Sequence, residues 1–444
     1  MIGRLLRRTA GTAIVAATAI GQRRVPFLPR KQLDAIRDRR IRRIVSYAAR
    51  TVPYYKDLFT RERIDVREIR GATELDKLPV LDRDHVRSEP MLFVARTRAG
   101  RTGIPFLTSG STGTPIGIRH DKRSLLANIA YGEREREPVN KVCGGAFRPK
   151  EMYVGYDTST FKKVIEFYEE HTALPVKPRR RFVSLLEPLD SIAAIVNEEQ
   201  PDVIVGYGGW VDLFFRSVEA RGLEIAMPRM VMYMGEEMPR GGRDYIEQHY
   251  GIPVLSRYNA VESFKIGFFC EERSGFHIHE DLCHVRIRTT DGRQANPGES
   301  GEVIISNLVN YASVLLNYPI GDVAAATSEL CACGRTFSRL SELEGRVEDV
   351  LALPDGRFLH PRAIWQVFKD IPGVLQYQLT QHGGGRYQLT IVTVDEQLFR
   401  SALDQALPEL RRLLGSENIE ARWSREIDRS GHGKFRTVVR AKSL

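Results

Sequence analysis

The sequence contains little cysteine and no long hydrophobic run. Five cysteines stand at uneven positions among 444 residues, which excludes a disulfide framework of the extracellular kind and favours a reducing compartment. The apolar stretch 10–20 follows an arginine-rich start, as in a signal peptide, but it is too short to span a bilayer. No internal repeat or low-complexity tract is present, so we expect a globular cytoplasmic protein.

The same stretch, residues 10–20, predicts an N-terminal helix with two alternative roles. It either packs on the domain that follows or lies against a membrane surface, and we favour packing because the rest of the chain has a cytosolic composition. No stable membrane insertion is expected. Further along, apolar residues from Lys31 to Tyr55 recur at helical spacing until Pro53, which predicts a basic amphipathic helix.

Charge of one sign is in excess. Lysine and arginine number 66 against 56 acidic residues, a formal net charge of +10, which favours anionic partners without choosing among them. Together with a Cys/His cluster, this charge leaves open a metal-containing nucleic-acid-binding protein. Zinc-finger spacing and helix-turn-helix or RNP patterns are missing, so we expect no nucleic acid as a partner.

The order of apolar runs predicts an α/β fold. Short strand-like runs separated by Gly and Pro turns alternate with helical patterns after about residue 100, and residues 284–345 are β-rich, with a strand expected at 314–316. A smaller unit with a strand pair, two helices and further strands follows. We therefore predict a large N-terminal domain, 1–345, with a largely helical lead-in at 1–95, and a C-terminal α+β domain, 346–444.

One Ser/Thr/Gly-rich loop lies between two apolar runs. Small residues let its backbone amides converge and its hydroxyls add donors, which together suit an anion. It lacks the spacing of a Walker A loop, and a flexible hairpin turn is the alternative. The loop reads Thr108-Ser109-Gly110-Ser111-Thr112-Gly113-Thr114-Pro115.

This loop and the later motifs resemble the adenylate-forming (acyl-CoA synthetase) superfamily, in the branch of phenylacetate-CoA ligase, coenzyme F390 synthetase and capsule-biosynthesis relatives. There a T-S-G-[ST]-T-G-x-P loop holds the ATP phosphates. The motifs follow in the expected order from about residue 45 onward. They are Tyr233-Met234-Gly235-Glu236, Tyr258-Asn259-Ala260-Val261-Glu262, Tyr318-Pro319-Ile320-Gly321-Asp322 and Gly345-Arg346-Val347-Glu348-Asp349, before Gly433-Lys434-Phe435-Arg436 near the end.

The resemblance implies a role for each motif. Gly235 and Glu236 would flank adenine and Tyr258 would stack on it, while Asp322 would bind the ribose hydroxyls and Glu262 would hold Mg²⁺. By the same resemblance, Arg346 lies at the nucleotide, Glu348 at a hinge about which a mobile C-terminal domain turns, and Lys434 reaches the active site during adenylation.

Two motifs depart from the family pattern. Val261 replaces a hydroxyl residue, and Pro319-Ile320 replaces Arg-Thr before Gly321 and Asp322. Polar contacts expected at both places are therefore missing, and Asn259, which replaces glycine, is a candidate to compensate.

A second set of residues suits a metal. Cys270, His277, Cys331 and Cys333 offer three thiolates and one imidazole, a tetrahedral set for structural Zn²⁺, although the spacing is not that of a zinc finger. His279 and His284 are alternative imidazoles, Cys283 is an alternative thiolate, and idle buried cysteines are the alternative to any metal. Some members of the resembled branch carry similar segments and bind a structural metal there.

By resemblance, an aromatic pocket for the acid would be lined by Tyr156, Tyr207, Gly208, Trp210 and Phe264. Aromatic lining suits an aryl or apolar acid, although plain core is the alternative.

We therefore predict an ATP-dependent carboxylate ligase that forms an acyl-adenylate, releases pyrophosphate and passes the acyl group to CoA. An amine or a carrier-protein thiol is the alternative acceptor, and a nucleotide-binding scaffold without catalysis is a further one. The expected partners are a small carboxylic acid and the acyl acceptor, with a homodimer as one option for the assembly.

Overall fold

The computed structural model describes residues 2–108, 116–144, 149–173, 179–239, 241–341, 343, 345–346, 351–353, 358–359, 361–368, 370–427 and 435–441. The chain forms two compact units. The first comprises Met1–Arg148, Thr158–Lys177 and Leu255–Leu343, and the second comprises Pro149–Asp157, Pro178–Val254 and Glu344–Leu444. The predicted α/β class is confirmed, while the domain boundary at 345/346 stays a prediction.

Helices precede the first strand up to Thr102, helices and strands are mixed between Ile104 and Tyr258, and a series of strands follows from Gly267 to Leu359. The helices are α1 (Ile2–Ala19), α2 (Arg30–Thr51), α3 (Pro53–Arg61), α4 (Ala72–Leu75), α5 (Arg83–Ser88), α6 (Arg98–Thr102), α7 (Lys122–Tyr131), α8 (Glu133–Val142), α9 (Thr160–His171), α10 (Leu189–Glu199), α11 (Gly208–Ala220), α12 (Gly242–Tyr250), α13 (Pro361–Phe368) and α14 (Glu396–Leu414). Short 3₁₀ turns cover Gln22–Phe27, Val66–Glu68, Pro90–Phe93 and Gly383–Gly385.

The strands are β1 (Ile104–Leu107), β2 (Gly117–His120), β3 (Lys150–Gly155), β4 (Arg179–Ser184), β5 (Val203–Gly206), β6 (Met230–Met234), β7 (Val254–Tyr258), β8 (Gly267–Phe269), β9 (Phe276–Ile278), β10 (Cys283–Arg288), β11 (Ser300–Asn307), β12 (Tyr318–Thr327), β13 (Arg339–Leu340), β14 (Gly345–Arg346), β15 (Leu351–Ala352), β16 (Phe358–Leu359), β17 (Gln376–His382), β18 (Arg386–Val392), β19 (Ile419–Ser424) and β20 (Val438–Arg440).

Helix α1 packs on the first unit, as predicted. A Cβ atom added to Gly11 would collide with the carbonyl oxygen of His171, so the two backbones approach closely and only glycine fits. Val15 is buried in a cluster with Phe106 and Phe167. Among the described residues, no helix combines the length and the hydropathy that crossing a bilayer requires.

The first unit is organised by an antiparallel sheet in the order β10-β11-β12-β13-β9-β8-β7 and by the β1–β2 hairpin. Helices α2 and α3 bury Ile44, Val45 and Tyr55 against Leu308 and Leu316. Helix α2 ends at Thr51, as the apolar pattern indicates, and Pro53 then begins α3, where its missing N–H leaves no bond unmade.

The strand predicted at 314–316 is wrong. Residues Val314–Leu316 are buried, at 1% exposure or less, but they run irregularly. Their amides find partners other than a neighbouring strand: the N–H of Val314 donates to the Phe93 carbonyl at 3.0 Å, and that of Leu316 to the Tyr55 hydroxyl at 2.8 Å. Apolar runs predict burial here correctly, but burial alone does not fix strand pairing.

The described part of the second unit contains a parallel sheet, the short β15–β16 pair and a four-stranded sheet. The parallel sheet β4-β3-β5-β6 is accompanied by helices α10, α11 and α12, and strand β5 is buried along its whole length. The sheet β19-β18-β17-β20, with helix α14, forms a core around Leu379, Leu389 and Leu410. Strand β17 escaped prediction because its sequence, QYQLTQH, is largely polar.

Candidate functional site

The base of the Ser/Thr/Gly loop is closed by paired hydrogen bonds between the ends of β1 and β2. The N–H of Thr108 donates to the carbonyl of Ile116 at 3.0 Å, and the N–H of Ile116 donates to the Thr108 hydroxyl at 2.9 Å. Loop residues 109–115, including the predicted Ser109, Gly110, Ser111, Thr112 and Gly113, lie outside the described residues. The structure thus gives the strand–loop–strand setting, and phosphate binding stays a prediction.

Tyr258 and Asp322 lie together. The Tyr258 hydroxyl, at the end of β7, donates to Asp322 Oδ2 on β12 at 2.8 Å. Tyr258 is buried. Two residues that sequence motifs assign to adenine and ribose, far apart in the chain, therefore meet in the first unit.

The segment after Tyr258 forms a tight turn that presents Glu262. Ala260 and Ser263 exchange backbone hydrogen bonds at 3.0 and 3.2 Å, and Asn307 Nδ2 donates to the Glu262 carbonyl at 2.9 Å. Glu262 is 7% exposed. The backbone of this residue is therefore fixed by β11, and Asn259 begins the turn.

Val261, where the family pattern has a hydroxyl residue, packs against the buried cluster of Phe106 and Leu125. Its carbonyl accepts a hydrogen bond from His120 Nε2 at 2.6 Å. Burial lowers the pKa of His120 to about 4, so the imidazole is neutral at pH 7 and acts as a donor. This position is therefore used for packing.

Glu135 of α8 holds both ends of the Tyr258–Glu262 segment. Its carboxylate lies 2.8 Å from Arg257 Nε, 2.5 Å from Lys265 Nζ and 3.1 Å from His279 Nε2. Burial opposes the charge on Glu135, but Lys265 and Arg257 hold the pKa of its carboxyl below the usual range. Arg257 precedes Tyr258 and Lys265 follows Glu262, so this carboxylate holds the chain on both sides of the Tyr258–Glu262 segment.

Arg83 lies against the glycine of the Y-P-I-G-D motif. Gly321 has φ +87°, and a Cβ atom there would lie 2.5 Å from Arg83 Nη1. Burial raises the pKa of the Tyr318 phenol, the Glu262 carboxylate adds to this effect, and Arg83 opposes it. A guanidinium from α5 thus lies beside a motif that has no arginine of its own. Arg83 was not predicted from the sequence. The one indication of it was that the Y-P-I-G-D motif lacks the arginine of the family pattern.

The end of strand β6 carries Gly235 and Glu236 in the second unit. Gly235 adopts φ +75°. The Glu236 carboxylate accepts from the N–H of Gly209 at 2.9 Å and, through its other oxygen, from the N–H of Phe435 at 2.8 Å. The motif glutamate thus contacts the residue that follows Lys434.

The residues predicted for the acid pocket fall in both units. In the second unit, the rings of Tyr156 and Tyr207 lie 6.4 Å apart, and Gly208 begins α11. Trp210 is 2% exposed and stacks on Phe214, so its ring belongs to the core of that unit. In the first unit, Phe264 stacks on His120 at 4.2 Å.

Of the predicted hinge motif the structure describes Gly345 and Arg346, and the predicted catalytic lysine lies outside the described residues. Arg346 lies in β14, while Glu348 and Lys434 are outside the described residues. Their roles stay predictions.

Four predicted metal ligands come together in the first unit. Ligand atoms of Cys270, His277, Cys331 and Cys333 all lie within 4.8 Å of one another. Cys270 Sγ is 3.6 Å from Cys331 Sγ, and Cys333 Sγ is 3.4 Å from His277 Nε2. Sulfur atoms in a tetrahedral zinc site lie about 3.8 Å apart, so both the donor set and the spacing fit this ion.

The alternative ligands lie elsewhere. His279 is bonded to Glu135, and His284 Nε2 lies 2.9 Å from Asp76 Oδ1. Cys283 is buried, which raises the pKa of its thiol to about 12. The first choice from the sequence therefore agrees with the geometry.

Full-length relatives are found, although no protein-family model matches the chain. Over 398 residues it is 25% identical to the phenylacetate-coenzyme A ligase of Thermus thermophilus, covering 86% of each chain. Over 343 residues it is 23% identical to the phenylacetate-coenzyme A ligase of Escherichia coli, covering 72% of this chain and 73% of that protein.

The fold has close counterparts among solved structures. The crystal structure of 2-hydroxyisobutyryl-CoA ligase in its postadenylation state superposes with a TM-score of 0.75 at 14% identity, covering 94% of this chain and 91% of that one. Anthranilate CoA ligase gives a TM-score of 0.52 at 12% identity, covering 74% and 65%. The sequence similarity to two phenylacetate-coenzyme A ligases and the fold similarity to CoA ligases both support the predicted resemblance to the adenylate-forming superfamily.

In this chain, the residues found through motifs and the residues that contact and position them lie in different kinds of segment. Tyr258, Glu262 and Asp322 stand in recognisable motifs on or beside strands. Glu135 and Arg83 stand in α8 and α5, in segments without any motif. The sequence gives no local indication of Glu135, and for Arg83 the one indication is that the Y-P-I-G-D motif lacks an arginine.

Proposed function

We propose that the protein is an ATP-dependent ligase that joins a carboxylic acid to CoA. A carboxylate oxygen of the acid attacks the α-phosphorus of ATP, the bond to the bridging oxygen of the β-phosphate breaks, and pyrophosphate leaves. The thiolate of CoA then attacks the acyl carbon, and AMP leaves with the former carboxylate oxygen. The Tyr258–Asp322 hydrogen bond carries this proposal, because it joins two distant motifs into one nucleotide-binding surface.

In this proposal, binding and charge neutralisation do most of the catalytic work. Tyr258 stacks on adenine, Gly235, Glu236 and Asn259 border the nucleotide, Asp322 binds the ribose hydroxyls, and Arg346 contacts the nucleotide. The loop residues Ser109, Gly110, Ser111, Thr112 and Gly113 hold the phosphates, and Lys434 neutralises charge at the α-phosphate. Glu348 is the hinge of a mobile C-terminal domain, 346–444.

Mg²⁺ fits Glu262. This residue offers carboxylate oxygen, the ligand that Mg²⁺ prefers, at a backbone position held by Asn307. Bound there, the ion neutralises charge on the phosphates.

The acid is proposed to be an aryl or apolar one, because the rings of Tyr156 and Tyr207 lie 6.4 Å apart and both curated relatives are phenylacetate-coenzyme A ligases. CoA is the first choice of acceptor, as in these relatives. An amine or a carrier-protein thiol is the second choice.

The first experiment measures pyrophosphate release from ATP and Mg²⁺ with phenylacetate, 2-hydroxyisobutyrate, anthranilate and a broader panel of acids, with and without CoA. We expect acid-dependent release and a CoA thioester detectable by mass. Release that CoA does not affect would move the search to amines and carrier proteins. No release with any acid, while ATP still binds, would contradict the ligase.

We also propose that Cys270, His277, Cys331 and Cys333 hold one structural Zn²⁺. Four protein ligands leave no position for a water, so the ion would stabilise the fold and take no part in the reaction. Elemental analysis of the purified protein is expected to give one zinc per chain and Cys333→Ser much less, with Cys283→Ser as the matched control. Equal zinc content in all three proteins would contradict this site.

A further inference from the structure

The Glu236 carboxylate connects two parts of the second unit that are distant in sequence. One oxygen accepts from the N–H of Gly209, the second residue of helix α11, at 2.9 Å. The other accepts from the N–H of Phe435 at 2.8 Å. Both bonds are charge-assisted, and the first adds the favourable field of a helix N-terminus.

The contact requires small residues at the start of α11. A Cβ atom on Gly209 would collide with Glu236 Oε1 and would lie 3.2 Å from Phe435 Cδ1. A Cβ atom on Gly208 would collide with the backbone nitrogen of Met238. Two successive glycines thus let the end of β6 and residue 435 approach the same helix terminus.

Phe435 is anchored on its other side to the C-terminal sheet. Its side chain is buried with Val392 and Ile427. Beyond it, Gln378 Nε2 donates to the Arg436 carbonyl at 2.9 Å, and β20 pairs with β17. The N–H that donates to Glu236 belongs to Phe435, the residue after Lys434, so the carboxylate fixes the backbone at Phe435.

We propose that Glu236 is a positioning residue that holds the Lys434 segment in place for adenylation, through its hydrogen bond to Phe435. This inference rests on the proposed function and adds a role for Glu236 other than contact with adenine. A single hydrogen bond of this kind is individually modest, so it can be broken when the acyl group passes to the acceptor.

The proposal predicts that the two half-reactions respond differently. Displacing a reacting group by about 1 Å costs roughly 100-fold in rate, so Glu236→Ala is expected to slow acid-dependent pyrophosphate release by about 10- to 100-fold. Thioester formation is measured at saturating phenylacetyl-adenylate and CoA, where a weakened nucleotide contact of Glu236 is compensated. It is expected to change less than about twofold, since Lys434 is proposed to act at the α-phosphate in the first half-reaction. A purely structural loss would slow both half-reactions alike and would overturn the proposal.

Hydrogen exchange tests the contact without any catalysis. The Phe435 amide is expected to exchange at least about tenfold faster in Glu236→Ala than in the wild type, because its acceptor is gone. Glu237→Gln is the matched control: its carboxylate accepts from the Tyr233 hydroxyl at 2.7 Å, and the substitution retains an acceptor there. Gly209→Ala keeps the Glu236 carboxylate but crowds it. We expect it to slow pyrophosphate release more than thioester formation, as Glu236→Ala does, but by a smaller factor.

The two proposals can fail separately. Unchanged exchange at Phe435 in Glu236→Ala would overturn the role of Glu236, whether or not the protein is a ligase. Faster exchange in a protein that releases no pyrophosphate with any acid would retain the contact and contradict the ligase. Faster exchange together with unchanged adenylation would show that the contact does not position the lysine, and would also overturn the proposal.

Discussion

Two acidic side chains of the first unit, Asp281 and Glu135, pair deep in the interior, whereas those on helix α14 of the second unit pair at the surface. The Arg134 and Asp281 side chains form a bidentate pair at 0% and 1% exposure, and Glu135 nearby contacts Arg257 and Lys265. On α14, the side chains of Arg400 and Glu396 are 75% and 58% exposed.

The comparison separates charges that fix a site from charges that keep a surface soluble. A buried pair that loses one partner leaves an uncompensated charge away from water, whereas an exposed pair is replaced by solvent at little cost. Glu135 and Asp281 flank the strands that carry the nucleotide motif and the Cys/His cluster. These two buried carboxylates therefore stabilise the structure around the candidate site.

The largest expected effect is on stability. Glu135→Gln leaves Lys265 and Arg257 without their anion and is expected to lower the free energy of unfolding by about 3–5 kcal/mol. Glu396→Gln on α14 is the control, with no resolvable change. All three tryptophans, Trp210, Trp365 and Trp423, lie in the second unit, so circular dichroism is measured beside fluorescence during urea unfolding. Equal stability of the two variants would contradict the distinction between buried and exposed ion pairs.

The second prediction concerns the charge proposed to act on substrate. Lys434→Ala is expected to slow acid-dependent pyrophosphate release by about 100-fold or more, because it removes a preorganised positive group from the α-phosphate. Stability should be unaffected, in contrast to Glu135→Gln. Lys31→Ala serves as the control, since this lysine is exposed on helix α2 of the first unit. An unchanged rate in Lys434→Ala would remove Lys434 from the mechanism.

The family resemblance grouped Tyr258 with Asp322, and residue type grouped the four metal-type ligands with one another. The structure brings the members of each group together. Sequence could not give Glu135, since nothing local in α8 indicates that its carboxylate meets three cations from other elements. The buried but irregular 314–316 segment escaped for the same reason, since its amides bond to Phe93 and Tyr55, remote in the chain. A local sequence pattern does not specify which residues distant in the chain form these hydrogen bonds and ion pairs.

The third prediction is a pH dependence from a buried group that carries no charge at pH 7. The folded-state pKa of His120 is lowered to about 4 from 6.5, so the unfolded chain binds the extra proton between these values and stability falls as pH decreases through this window. Between pH 7 and 5 the loss is expected to reach about 2 kcal/mol. His120→Gln, which can still donate to the Val261 carbonyl, should lose this part of the pH dependence. Parallel pH profiles for the two proteins would contradict the assignment.

The smallest expected effect concerns Arg83. This residue is half-buried beside the Y-P-I-G-D motif, so its exposure lies between that of the buried and that of the surface ion pairs. Pro319 stands where the family pattern has an arginine. If the Arg83 guanidinium supplies the missing positive charge, Arg83→Ala should raise KM for ATP by about tenfold, equivalent to about 1.4 kcal/mol, with kcat little changed. Arg83→Lys should recover part of the loss, since it restores charge without the planar geometry. Arg61→Ala, an exposed arginine on α3, is the matched control. Equal KM in Arg83→Ala and the wild type would place Arg83 with the scaffold charges, beside Glu135.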